Sequence, residues 1–185
     1  VPIPIKKDLL IDGYFQSEKY FADCKDDIKS LFTFPDDIKE KIDTKFNQIH
    51  KKKIGVHIRR GDYKMFPTTH PSQTTEYYDR ALRHFSLERT AGNCIFILCT
   101  DDLPSVRVEF DLDKYGFVYS NSKSEIEDLY ILSQCDSVII SNSSFAWWGA
   151  WLGKDKEKVI VPKQWFGQRG PSDYRDIYPE KWVQL

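Results

Sequence analysis

Apolar residues recur along this chain at two periods, and the change from one to the other falls near residue 50. Over residues 17–30 and 35–49 the spacing is helical, with Ile38, Ile42, Phe46 and Ile49 on one face. Past the basic run Lys51-Lys52-Lys53 the pattern shortens. Ile54-Gly55-Val56-His57-Ile58 is rich in β-branched residues and predicts a buried strand. Residues 74–88 return to helical spacing, with Tyr78, Ala81, Leu82 and Phe85 on one face. A second strand follows at 94–100, a short helix at 104–110 and a third strand at 117–119. Ser124 and Glu127 match a capping box for a helix that ends near Cys135. Residues 137–141 predict a fourth strand, 144–152 a helix, and 159–161 a fifth strand closed by Pro162. Alternation of this kind implies an α/β fold, a Rossmann-like doubly wound parallel sheet with helices on both faces. Residues 1–50 are then a helical segment and 51–185 the sheet domain. Ligands of such sheets bind outside the carboxyl ends of the strands, which singles out the residue after each one.

Composition sharpens this. The chain has 185 residues, 41% of them hydrophobic, enough to bury roughly 70% of the surface its unfolded form exposes. Lys and Arg number 27 against 28 Asp and Glu, a net charge of −1. No broad field draws nucleic acid or an anionic membrane, so an anion site must come from a few placed cations. No run approaches the ~20 apolar residues of a membrane span, and Val1-Pro2-Ile3-Pro4-Ile5-Lys6-Lys7 lacks the apolar core of a signal peptide. The first residue is not Met, as expected of a piece of a longer protein. Cys24, Cys94, Cys99 and Cys135 form no Cys-x-x-Cys pair, and Cys94 and Cys99 flank an apolar run as small buried hydrophobes do. A reducing, cytoplasmic compartment is expected, with at most a peripheral contact to a membrane.

Three strand ends carry chemistry. After the first stands His57-Ile58-Arg59-Arg60-Gly61-Asp62-Tyr63. Paired guanidinium groups before a glycine turn suit a diphosphate, because the planar fork pairs phosphate oxygens bidentately; a surface salt-bridge pair is the plainer alternative. His57 is either a core histidine or a ligand contact, and Asp62 either orients an arginine or acts as a base. Asp101-Asp102 after the second strand either accept hydrogen bonds from a nucleoside or cap the next helix. Asp111-Leu112-Asp113 has a metal-binding spacing but follows a helix, so no metal is expected. After the fourth strand, Ser141-Asn142-Ser143-Ser144 runs into Phe145-Ala146-Trp147-Trp148-Gly149-Ala150-Trp151. Hydroxyls and N–H groups at such a turn suit a phosphate at a helix N-terminus, or the serine simply caps a helix whose tryptophans fill the core.

Taken together these segments resemble the GDP-fucose-dependent fucosyltransferases, and most of all glycosyltransferase family 11, the α-1,2-fucosyltransferases. Gly13-Tyr14-Phe15-Gln16-Ser17, Pro162-Lys163-Gln164-Trp165-Phe166 and Trp182 extend the resemblance along the chain. It implies the carboxyl-terminal half of a GT-B-like enzyme that moves L-fucose from GDP-fucose to a galactoside hydroxyl, inverting and without a metal or other cofactor. Arg59, Arg60 and Asp62 take the catalytic positions. His57, Arg59, Asp101, Asp102, Asn142, Ser143, Ser144 and Phe145 fall where the nucleotide is held. The family's amino-terminal Gly-x-Gly-Asn-Gln motif is absent, so residues 1–50 are expected to be a remnant of, or link to, the acceptor-side domain. A missing half or a second subunit would then complete the cleft. Two other readings stay open: a transferase for another GDP-6-deoxyhexose, and a non-catalytic glycan-binding module using Trp147, Trp148 and Trp165.

Overall fold

The computed structural model describes Leu10 and residues 12–185; the leader reading of residues 1–7 lies outside them. Six strands form one sheet: β1 (Lys52–Ile58), β2 (Cys94–Thr100), β3 (Phe117–Tyr119), β4 (Ser137–Ile139), β5 (Lys158–Val161) and β6 (Val183–Gln184). All pairs are parallel, in the order β3-β2-β1-β4-β5-β6. Parallel neighbours require crossovers, and these are helical. Two helices precede the sheet, α1 (Lys25–Leu31) and α2 (Asp36–Asn47). Then come α3 (Thr75–Arg83) and α4 (Ser86–Thr90) before β2, α5 (Leu103–Glu109) and α6 (Leu112–Tyr115) before β3, α7 (Glu125–Gln134) before β4, and α8 (Ser144–Leu152) before β5.

The period of two along each strand builds two cores. On one face Ile54, Val56 and Ile58 pack with Phe96, Leu98, Ile139 and Ile160 under α3 and α5. On the other, Ile97, Cys99, Val138, Ile140, Val159 and Val161 pack under α7 and α8. Ile42 and Phe46 of α2 join this second core, so α2 belongs to the layer that covers the sheet. From β1 the chain moves outward to β3 with its helices on the first face. It then returns by α7 on the second face to place β4 beside β1. That reversal is a topological switch point, where ligands of open α/β sheets bind.

Where the structure departs from the expected elements, the causes are local. The helix expected over 74–88 breaks in two at Phe85 (φ −116°, ψ 18°), whose ring is buried against Phe96. A segment of 3-10 helix, Glu18–Cys24, precedes α1 and is kinked at Phe21. β6 is only two residues long and carries no pattern of its own; its backbone pairing with β5 makes it a strand. The four cysteines are free thiols, Cys24 exposed and the other three buried.

Candidate active site

At the end of β1 successive side chains leave in opposite directions. Arg59 points to the open side, where Asp62 Oδ1 accepts from its Nε (3.1 Å) and from one terminal nitrogen (2.8 Å). The Asp101 carboxylate lies 3.1 Å from the other terminal nitrogen. Arg60 turns inward, only 3% exposed. Its Nε donates to Glu109 (2.6 Å), its terminal nitrogens donate to the carbonyls of Arg59 and Gln73, and its guanidinium lies over the Phe110 ring. Each of its three guanidinium nitrogens donates within the protein. The two arginines expected at one diphosphate therefore point apart: Arg59 faces the open side and Arg60 anchors the loop. Asp62 is engaged by Arg59, the geometry of the orienting role that the sequence left open beside that of a base. Gly61 makes the turn possible, because a side chain there would collide with the Asp101 carboxylate.

The aspartate pair at the end of β2 is also engaged. Asp101 accepts from the Arg60 backbone N–H (2.9 Å) besides holding Arg59. Asp102 caps α5 by accepting from Ser105 N and pairs with Lys64 Nζ at 2.6 Å. The lysine hydrogen bond, then those from Ser105, hold its carboxyl down at about 2. Both carboxylates are thus partnered within the protein. Asp128 stands in the first turn of α7 beside Ser120, Ser122 and Cys99, and its Oδ1 is buried without a hydrogen-bond partner among the described residues. Burial raises its carboxyl above the ordinary value, offset in part by those neighbours.

His57 lies on the same side of the sheet as Gly55, whose Cα faces Leu132 and Cys135 of the α7 region. The imidazole is 3% exposed, with Nδ1 2.9 Å from Ser141 Oγ and its ring tilted against Phe145 at 5.5 Å. Burial, and then the neighbouring Arg59 charge, push it down to about 3, so it is neutral at working pH. It ties the end of β1 to the start of α8.

That start is open. Ser143 stands at the N-cap in extended conformation, buried, and makes no side-chain cap bond. Ser144 is exposed at the first helical position. The leading N–H groups of a helix have no partner within it, so this end presents donors and a positive dipole. Asn142 serves otherwise. Its Nδ2 donates to the Pro71 and Trp165 carbonyls (3.1 and 2.8 Å), and its Oδ1 accepts from Gln73 (3.0 Å). The Asn142 carbonyl accepts from Tyr63 OH at 2.7 Å, and the Tyr63 ring lies 5.5 Å from the Arg59 guanidinium. The Asn142 side chain, expected at the nucleotide, thus clasps the loops at Pro71–Gln73 and Trp165 to its own turn. Arg59, His57, Ser143, Ser144 and Phe145 thus stand at the ends of β1 and β4, about the switch point, while Asp128 lies beside Cys99 and Ser120 at the ends of β2 and β3. Asp111 caps α6 and, among the described residues, no three His, Cys, Asp or Glu side chains cluster to hold a metal.

The model of the family described as "Glycosyl transferase family 11" matches residues 1–185. The chain belongs to that family. Among its relatives, O-antigen biosynthesis glycosyltransferase WbnK of Escherichia coli is 29% identical over 99% of this chain and 63% of its own. The alpha-1,2-colitosyltransferase of Escherichia coli is 31% identical over 94% of this chain and 61% of its own. Galactoside alpha-(1,2)-fucosyltransferase 1 of Lagothrix lagotricha is 25% identical over 78% and 43%. The chain therefore spans about three fifths of the two bacterial relatives. Among solved structures, fucosyltransferase NodZ from Bradyrhizobium is 20% identical over 64% of this chain and 43% of its own, with a TM-score of 0.38.

In this family 11 chain the sequence motifs fall at the ends of β1, β2 and β4. Asp128 was not singled out from the sequence, where Ser124 and Glu127 drew the reading of this turn to a capping box. A signal was present: Asp128, Ile131, Leu132 and Cys135 share one helical face, and an acid on a buried apolar stripe is unusual. Among the described residues no helix is long and apolar enough to cross a membrane.

Proposed function

We propose that this chain provides the donor side of a glycosyltransferase that moves L-fucose from GDP-fucose to a galactoside hydroxyl in α-1,2 linkage. Inversion at the anomeric carbon leaves GDP with negative charge growing on its β-phosphate. In this reading Arg59 and the first N–H groups of α8, with the Ser143 and Ser144 hydroxyls, take up that charge without a metal. The observation that carries the proposal is Arg59, clamped between Asp62 and Asp101 at one strand end, beside the open α8 N-terminus at the next. A preorganised donor of this type contributes on the order of 10²–10³ in rate. Asp128 is proposed as the acceptor for the nucleobase's N–H edge, and neutral His57 as the wall beside it. The acceptor sugar would be held with the help of chain beyond these residues, a second subunit or the family's amino-terminal half.

A second reading within the same chemistry is transfer of a different 6-deoxyhexose from its GDP donor. The 31% identity to a protein named for colitosyl transfer favours it. A glycan-binding module that stacks sugars on tryptophan faces has less support, since Trp147 and Trp165 are 6% and 3% exposed.

The test is calorimetric titration of GDP in the presence and absence of EDTA. The expected outcome is binding of equal strength in both. No heat from millimolar GDP with a folded sample would overturn the nucleotide reading, and recovery of lost affinity by Mn²⁺ alone would overturn metal independence. Linkage analysis of the product formed from GDP-fucose and lactose checks the α-1,2 assignment.

A further inference from the structure

The turn 153–157, which enters β5 at its amino end and so lies away from the candidate active site, borders a groove of about 710 Å³. That volume is within the ~300–1,000 Å³ of small-molecule pockets. Gly153 approaches α7 so closely that a side chain there would collide with the Ser133 carbonyl. Lys156 Nζ donates to the same carbonyl. An ammonium has three hydrogens, and Lys156 makes no ion pair among the described residues. Asp136, the acid that acts on it, is held by Lys154 Nζ and by the Lys53 N–H, both at 2.7 Å. Lys29 of α1 lies over the Trp151 ring at 5.5 Å and acts on the same amine. Burial pushes the Lys156 amine down to about 8; the Cys135 sulfur and Asp136 act against the shift, and Lys154 and Lys29 add to it. Cys135 is itself pushed up to about 12 by burial and stays a neutral thiol. At pH 7 most of the Lys156 amine is therefore still charged, beside two other cations and without a carboxylate of its own. Buried charges in proteins are otherwise paired. On the rim, Lys19 pairs with Asp176, Lys25 with Glu18 and Glu157 with Lys52. Asp26, Asp155 and Glu180 also line the groove and are exposed to water.

We propose that this groove is a second anion site, separate from the nucleotide site, and that it takes the phosphomonoester group of a small ligand between Lys29, Lys154 and Lys156. With Asp136 set against them, these lysines leave two positive charges. A phosphomonoester, whose second proton leaves near pH 6, brings about −1.5 to −2 at pH 7 and three acceptor oxygens. A carboxylate or a phosphodiester brings only one charge and leaves the crowding of cations half relieved. The remaining ammonium hydrogens of Lys156 then have acceptors, in bonds of the charge-assisted kind. Trp151, Tyr178 and Trp182 line the same groove and give the body of the ligand an apolar surface. The site stands on its own residues and does not depend on the GDP-sugar reading.

Acetic anhydride acylates only the unprotonated amine, so the rate at which Lys156 is labelled, followed by mass spectrometry against pH, reports on this one position. The unaltered chain is labelled in chloride, in inorganic phosphate and in glucose 1-phosphate, all at one ionic strength and with GDP present throughout to occupy the other anion site. In chloride the labelling of Lys156 is expected to be half-maximal near pH 8, in line with its amine at about 8. A bound anion favours the charged amine, so either phosphate compound should move that midpoint upward by about half a pH unit or more, about threefold in rate at pH 7. Stronger protection by glucose 1-phosphate assigns the site to a phosphorylated sugar, and stronger protection by inorganic phosphate assigns it to the free ion. Lys29→Gln leaves the Lys156 bond to the Ser133 carbonyl in place and should weaken the protection by about threefold or more. The site is overturned, and Lys156 is left as a cap of α7, by any of three results: labelling that neither compound slows, slowing shared equally by the exposed lysines, or protection unchanged in Lys29→Gln.

Discussion

At the end of β1 consecutive side chains leave the strand on opposite sides, and this separates two arginines that the sequence presents as a pair. Which one faces out is decided by Glu109 and Phe110, far along the chain, and that contact cannot be read from the motif. The difference is testable. Arg59→Lys keeps the charge and loses the fork held by Asp62 and Asp101. Since charge-assisted bonds contribute about 1.5–3 kcal/mol, GDP affinity by calorimetry should fall tenfold or more. Arg60→Lys should lower the melting temperature instead, with GDP affinity of the folded chain within about threefold. Asp128 gives a third case with two opposed signs. Its folded-state carboxyl is raised, so the cost of ionising it is absent below the unfolded-state value near 3.8, grows as pH rises above that value, and is complete above the folded-state value. At neutral pH the buried charge therefore destabilises the fold. Asp128→Asn should raise the melting temperature at pH 7, with the gain vanishing near pH 3, and should weaken GDP binding at least tenfold. A variant that loses stability at pH 7 would show the carboxylate to be a structural partner.

Elements with strong periodicity were legible, and those fixed by distant backbone were not. The strands at 54–58 and 94–100 and the helix at 144–152 followed directly from their apolar patterns. The capping box at Ser124 was half legible. Ser124 Oγ accepts from the Glu127 N–H as expected, but Glu127 returns to the Lys123 N–H, one residue before the cap. β6 escaped notice because two residues carry no pattern. The most informative element for function is α8, whose N-cap bonds nothing. Ser143 has φ −124° and ψ 127°, a conformation compatible with a following proline, and proline is tolerated at the first helical position. Ser144→Pro should therefore leave the melting temperature within about 2 °C while deleting one N–H and one hydroxyl. Ser144→Ala deletes the hydroxyl alone. The expected order of GDP affinity is unaltered chain, then Ser144→Ala, then Ser144→Pro. Equal affinity in all three would place the phosphates elsewhere.

On the scale of the whole molecule, the site exists because the strand order reverses between β1 and β4. Arg59 belongs to the half of the sheet built from β1, β2 and β3, and Ser143 and Ser144 to the half built from β4, β5 and β6. Within the protein these halves are joined at the site by side chains: His57 to Ser141, Tyr63 to the Asn142 carbonyl, and Asn142 to the loops at Pro71 and Trp165. A diphosphate bound to Arg59 and to α8 would add a bridge across the same line. Binding to the folded form alone at about 100 times the dissociation constant stabilises by about 2.7 kcal/mol. Amides that exchange only by global opening should then slow about 100-fold. Amides that exchange by local opening distinguish a bridge from a one-sided contact. Hydrogen exchange followed by mass spectrometry, with and without GDP, should show residues 59–63 and 143–147 protected together and to a similar degree. His57 bears on the pH at which this is measured. Its folded-state value of about 3 lies below the unfolded 6.5, so its contribution to stability is complete above pH 6.5 and declines as pH falls towards 3. At pH 7 the imidazole is neutral in both states, and any protection seen there belongs to the ligand. Protection confined to 59–63 would mean that the nucleotide touches only the β1 half, and that the open end of α8 serves something other than its phosphates.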